Sequence, residues 1–329
     1  MFTMGNTEAK KSISKMFDAA NAMAILSIVS AHITIRSSEM LANLYAAIGS
    51  IGVVLLLIKA GYYFKSYPFA VLVKKKFVSV ILPWAILGSL VFVVNTILTS
   101  GIFNIVDLLL WLVGYKTYLY FVIVLLLCFL LFYKNNTVTL ISAIAINAIS
   151  LVLTACGVMD PIIEALHITN YLNILNWIGF FAIGILLSRV NEEKLYSFIK
   201  STRLIWIGIS LAGTVFITLS GYRVGYFSSF GWLYEIISTL SILGLCTFGF
   251  MENKLLSGIS SYGYAIYLLH MMFIGVLGKV YNQHIVLTAI ANIIVCLFIC
   301  FILYAGNYIA TKIKLGKIYG TIIGLRKLS

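Results

Sequence analysis

Residues 117–133 read TYLYFVIVLLLCFLLFY, with no charge anywhere in the run, and residues 137–156 follow with TVTLISAIAINAISLVLTAC. A helix that crosses a bilayer needs about 20 predominantly apolar residues. These two runs therefore read as consecutive crossings, separated only by Lys134, Asn135 and Asn136. Working outward in both directions, further apolar runs bounded by charges or turn residues cover 17–34, 41–62, 77–99, 170–188, 204–220, 229–250, 260–278 and 285–311. The pattern predicts an all-α, polytopic integral membrane protein with about ten transmembrane helices. Residues 102–114 are too short to cross and read as an interfacial piece, with Trp111 at headgroup level.

Composition agrees. Of 329 residues 62% are hydrophobic and 10% charged, with a mean hydropathy of +1.06, against about 25% charged in soluble domains. A soluble catalytic domain and a long disordered tail are both excluded. The net charge of +13 is dispersed in short clusters between apolar runs, which is not the footprint of a nucleic-acid binder. The five cysteines, Cys128, Cys156, Cys246, Cys296 and Cys300, form no CxxC pair and read as small core residues. The polar start MFTMGNTEAKKSISKMF lacks a small-residue cleavage site and is expected to lead into a retained first helix.

Basic residues set the orientation, because Lys and Arg stay on the cytoplasmic side. All of them lie on one set of alternate loops except Arg36, Lys116, Arg223 and Lys279 on the other set, and Lys59 inside the second apolar run. Both termini are expected to be cytoplasmic. The organisation is then a cytoplasmic segment 1–16, a ten-helix membrane domain 17–311 and a basic tail 312–329. An intramembrane charge such as Lys59 marks a functional site by default, although its long stem can also snorkel to the headgroups.

The first span carries Asp18, Asn21 and His32. Eleven residues at about 100° each return His32 to nearly the face of Asn21, so one polar stripe faces inward. A neutral imidazole can take a proton from a hydroxyl nucleophile; it can equally hydrogen-bond a neighbouring helix. Lys74, Lys75 and Lys76 precede the third span as topology anchors or as contacts for phosphates. Tyr222, Arg223, Tyr226, Trp232 and Glu235 cluster at the start of the eighth span, either as an interfacial aromatic belt or as a groove that stacks and hydrogen-bonds a sugar. Asp160, Glu164 and His167 have metal-ligand residue types, but with no second His or Cys nearby they read as a solvated helical turn, and no metal is expected.

Five segments in chain order carry a resemblance: FDA with AIL, Val29 and His32 in the first span, GVVLLLIKAGYYF (52–64), KKKFVSVILPW (74–84), YLYFVIVLLL (118–127) and SSYGYAIYLLH (260–270). Together the chain resembles the membrane acyltransferase-3 family. That resemblance implies a ten-span bacterial O-acetyltransferase of the cytoplasmic membrane, using acetyl-CoA as donor substrate with no bound cofactor. Its acceptor would be a hydroxyl on a cell-surface polysaccharide or lipid-linked sugar. The family's essential histidine falls on His32, its acidic residue on Asp18 and its later histidine on His270. Its basic residue eleven positions before the first histidine falls on Asn21, its arginines before the third span on Lys74, Lys75 and Lys76, and its fourth-span Trp on Tyr120. Since Lys59 stands where an apolar residue is usual, the positive charge is expected to have moved to the neighbouring helix, to pair with Asp18 or stabilise the acyl-transfer intermediate. Membrane lipid and a glycan acceptor are the implied partners. The rival reading is a non-catalytic transporter or polysaccharide-export component of the same fold.

Overall fold

The computed structural model describes residues 3–33, 38–99, 101–221, 227, 231–281 and 284–325. Every regular element among them is helical. In chain order these are α1 (Thr3–His32), α2 (Glu39–Gly49), α3 (Ile51–Tyr62), α4 (Phe69–Lys76), a π-helical turn Phe77–Ile81, α5 (Leu82–Leu98), α6 (Ile105–Leu112) and α7 (Tyr120–Leu131). Then follow α8 (Thr137–Ala155), α9 (Asp160–Ala165), α10 (Ile178–Leu187), α11 (Glu192–Ser220), α12 (Gly231–Leu245), α13 (Lys254–Ser261), α14 (Gly263–Tyr281), α15 (Ile285–Ala289), α16 (Ala291–Lys312) and α17 (Gly316–Ile322).

The breaks fall where polar side chains can take over the free backbone N–H groups of a helix start. Ser38 accepts from the Leu41 N–H, Asn104 from Val106, Asn136 from Thr139, and Asn191 from both Glu193 and Lys194. All ten apolar runs become helices. Six helical segments are long and apolar enough to cross a bilayer, or seven if Lys254–Ser261 and Gly263–Gly278 form one broken span. Tyr120–Leu131, Ile178–Leu187 and Gly231–Leu245 are shorter than a full crossing. Several boundaries differ from the expected ones: the run 41–62 breaks at Ser50, the run 285–311 breaks at Ile290, and α10 starts at Ile178 rather than near 170. The helix of the first span begins at Thr3, because no Gly-Pro signal separates residues 3–16 from it, and α11 begins at Glu192 on the Asn191 cap rather than near 204.

Two compact units make up the chain. The first comprises Met1–Phe64, Asn136–Asp160 and Leu175–Ser260. Within it α3 packs on α1 and on α10, and α11 packs on α12, α2 and α1. The α3 contacts depend on glycine: a Cβ on Gly61 would lie 2.1 Å from the Phe181 carbonyl oxygen, and one on Gly184 2.1 Å from that of Ile58. The late start of α10 has a cause in the same unit. Asn176, fully buried, accepts from Ser150 and Thr154 at 2.7 and 3.3 Å, and Asn147 Nδ2 donates to the Leu175 carbonyl at 2.8 Å, so Ile174–Asn176 is held in a 3-10 turn just before α10.

The second unit comprises Lys65–Asn135, Pro161–Ile174 and Ser261–Ser329. Here α14 packs on α5 and α16, and α17 folds back on α16. The short helix α6, in the stretch expected to be interfacial, is pinned to α5 by Trp111 Nε1 donating to the Gly88 carbonyl at 3.2 Å. In the turn between α6 and α7, Gly114 has φ +82 and a Cβ there would lie 2.3 Å from the Tyr120 nitrogen, so only glycine fits.

Candidate functional site

The polar stripe of α1 lies inside the first unit. Its neighbours approach closely because the facing residues are small. A Cβ on Gly52 would meet the Ala24 carbonyl oxygen at 2.5 Å, one on Gly49 the Ala31 Cα at 2.6 Å, and Ser27 Oγ donates to the Ile48 carbonyl at 2.6 Å. With α1 and α3 this near, Lys59 Nζ stands 3.7 Å from Asp18 Oδ1. The Lys59 side chain is only 3% exposed, whereas that of Asp18 is 49% exposed. Lys59 therefore turns its ammonium inward instead of extending to the surface, and the pairing raised from the sequence is present. Phe17 stacks beside the pair on Tyr62, with ring centroids 4.5 Å apart, and touches Tyr63 edge-on.

One turn further along α1, Asn21 is buried and its Nδ2 donates to the Ser260 carbonyl at 3.1 Å and to Ser260 Oγ at 3.2 Å. Asn21 thus does the work of tying α1 to α13. His32 ends the helix and is partly buried. Because Ala31 lies against Gly49, α2 continues about 15 Å beyond the level of His32, ten residues at 1.5 Å each. The imidazole is set well below the far end of α2. From Asp18 to His32 the stripe covers fourteen residues, or about 21 Å. Lys59 and His32 consequently belong to different levels of the same unit.

The other candidate residues of the second half of the chain divide between the units. In the second unit, His270 is fully buried; its Nδ1 is 2.6 Å from the Tyr267 carbonyl, and its ring meets Tyr118 edge-on at 4.9 Å. Tyr118 donates to the Leu268 carbonyl at 2.5 Å, and Tyr267 donates to the Tyr118 carbonyl. His270 is therefore enclosed by aromatic side chains that lock the turn before α7 to α14. Tyr120 is buried and stacks on Tyr171, centroids 4.9 Å apart. In the first unit, Glu235 is 1% exposed and Trp232 is partly buried. Glu235 is buried because α12 turns that face into its own bundle. Tyr222, Arg223 and Tyr226 lie outside the described residues.

Lys74, Lys75 and Lys76 close α4, which runs on without a break through the π-helical turn into α5. Lys75 Nζ stands 3.7 Å over the Tyr67 ring and Lys76 Nζ 3.6 Å over the Phe129 ring, while Lys74 is exposed. A hydrogen bond with Lys75 holds the Tyr67 phenol below its ordinary pKa. The π-helical turn follows immediately, and Tyr264 Oη donates to its Val80 carbonyl at 2.8 Å. Asp160, Glu164 and His167 are exposed around α9, and no three metal-ligating side chains gather among the described residues.

Ser260, Tyr118 and Tyr267 were not singled out by the sequence, although Ser260 and Tyr267 sit in SSYGYAIYLLH. Their one signal was polarity inside an apolar run. A family profile described as an acyltransferase domain, of the acyltransferase-3 type, matches residues 16–305. No curated protein and no solved structure matches the chain.

Proposed function

The chain belongs to this acyltransferase family and is a multi-pass membrane protein, and we propose that it transfers an acetyl group from acetyl-CoA to a hydroxyl of a cell-surface polysaccharide or lipid-linked sugar. The observation that supports this reading is the inward stripe of α1, with Lys59 held against Asp18 at one end and His32 at the other. His32 takes the proton of the acceptor hydroxyl as its oxygen attacks the thioester carbonyl. The C–S bond then breaks, coenzyme A leaves as the thiolate, and the proton passes from His32 to that sulfur. With about 21 Å of helix between them, Lys59 and His32 do not serve one carbonyl. Lys59 and Asp18 are instead assigned to the donor end of the stripe, along which the pantetheine arm runs.

In this reading all ten apolar helices cross the bacterial cytoplasmic membrane and both termini are cytoplasmic, which puts Lys74, Lys75 and Lys76 on the side where acetyl-CoA is available. Those ammonium groups contact its phosphates. His270 supports the fold around α14 and is a positioning residue at most, since its ring is enclosed. The test is release of free coenzyme A thiol from acetyl-CoA by the purified protein in lipid nanodiscs. Mass spectrometry of surface glycans from cells with and without the gene then looks for the acetyl increment. Thiol release that His32→Ala abolishes supports the reading. Full glycan acetylation by His32→Ala sinks it and favours a transporter of the same fold.

A further inference from the structure

α12 presents two polar faces, and only one is satisfied. Toward α11, Tyr234 Oη pairs with Thr214 Oγ1 at 2.8 Å and Ser238 Oγ with Ser210 Oγ at 2.9 Å. About 100° around the helix stand Glu235 and Thr239, each 1% exposed, on a helix that also packs on α3 and α1. Glu235 Oε1 and Thr239 Oγ1 have no hydrogen-bond partner among the described residues. Buried polar atoms are nearly always paired, and leaving a carboxyl oxygen unpaired in an apolar bundle is costly. The two residues stand one turn, or about 6 Å of helix rise, apart on one face.

The helix ends give the level of this notch. Glu252, past the trailing end of α12, forms an ion pair with Lys15, which precedes Asp18 by one turn of α1. The leading turns of α12 therefore lie at the His32 end of the first unit and away from Asp18. The Thr239 hydroxyl both donates and accepts and the Glu235 carboxyl oxygen accepts, so a ligand hydroxyl, which also does both, can pair with either. We propose that Glu235 and Thr239 form the subsite that holds hydroxyl groups of the acceptor sugar, on the same side of the unit as His32. This deepens the acyl-transfer reading and rests on it for the acceptor's role.

The test follows the Glu235 carboxyl group directly by infrared difference spectroscopy, with the protein in phosphatidylcholine nanodiscs. The probe is n-octyl β-D-glucopyranoside. Octyldimethylamine oxide, with no hydroxyl, and octylammonium, a cationic donor, are the controls. The glucoside is expected to shift a carboxyl band that disappears in Glu235→Gln and moves less in Thr239→Val. Equal spectra with glucoside and amine oxide would overturn the proposal, as would a shift that persists in Glu235→Gln or one produced by octylammonium alone. In the transfer assay Glu235→Leu, which removes both carboxyl oxygens, should raise the acceptor KM by about tenfold or more, the loss of one hydrogen bond to a carboxyl group, and leave the acetyl-CoA KM unchanged. An unchanged acceptor KM also overturns it. The infrared arm needs no turnover, so a protein that transfers no acetyl refutes the enzymatic reading while the spectra still decide the notch.

Discussion

Replacing Asp18 by Asn removes the carboxylate that faces Lys59 and keeps the shape of the side chain. Two unit charges 3.7 Å apart attract by about 4.5 kcal/mol at an effective dielectric of 20 and by about 1 kcal/mol in bulk water. The real pair lies between these limits, because the Lys59 side chain is 3% exposed but that of Asp18 is 49% exposed and open to screening. A coupling of about 1–2 kcal/mol is therefore expected, well above a surface pair and below the 3–5 kcal/mol of breaking a fully buried one. The assay is a double-mutant cycle of Asp18→Asn, Lys59→Met and the double variant, read as unfolding free energy in mixed detergent micelles. Measurement at low and high salt adds a second handle, since the exposed carboxylate makes part of the coupling salt-sensitive. If the two substitutions add within about 0.3–0.5 kcal/mol, the margin for independent sites, the charges do not act as a pair and the placing of the donor end on them is wrong.

His32→Ala should lower transfer by about 10² to 10⁴, the range for loss of a general base, with normal protein abundance on immunoblots. His270→Ala should act through stability, costing about 2–4 kcal/mol by opening a cavity at a fully buried ring; a kcat loss at unchanged stability would contradict its enclosed role. Changing Lys74, Lys75 and Lys76 together to Gln should raise the acetyl-CoA KM and flatten its salt dependence, read in initial-rate assays at two ionic strengths. Gly61→Ala should destabilise by about 1–3 kcal/mol through overpacking, because its Cβ would lie 2.1 Å from the Phe181 carbonyl oxygen; wild-type unfolding of this variant would refute the close packing of α3 on α10. Cysteine reporters at Lys75, Glu193 and Lys317 should label only from the cytoplasm, and those at Glu39 and Glu164 only from outside, and labelling of Lys317 from outside would refute ten crossings.

What the sequence determined by itself were the properties that a single helix carries. Apolar length and low charge gave an all-helical membrane protein, though not the number of crossings, and the 3.6-residue period placed Asp18, Asn21 and His32 on one face of α1. The polarity of Lys59 within LLLIKAGYYF was legible for the same reason: an ammonium in an apolar run needs a partner. Which groups meet was decided by tertiary structure, because contacts between helices depend on how near two backbones come. Gly49 and Gly52 permit the close approaches to α1 that bring Lys59 to Asp18, and Gly61 and Gly184 that of α3 to α10; a glycine's use as a contact point is invisible until its neighbour is known. The same holds for helix rotation. The sequence groups Glu235 with the aromatic residues at the start of the eighth span and leaves its burial open, but the Tyr234–Thr214 and Ser238–Ser210 pairs set the rotation of α12 and turn Glu235 and Thr239 into the bundle. A one-dimensional pattern states that a face is polar; only packing energy between neighbouring helices selects what that face looks at.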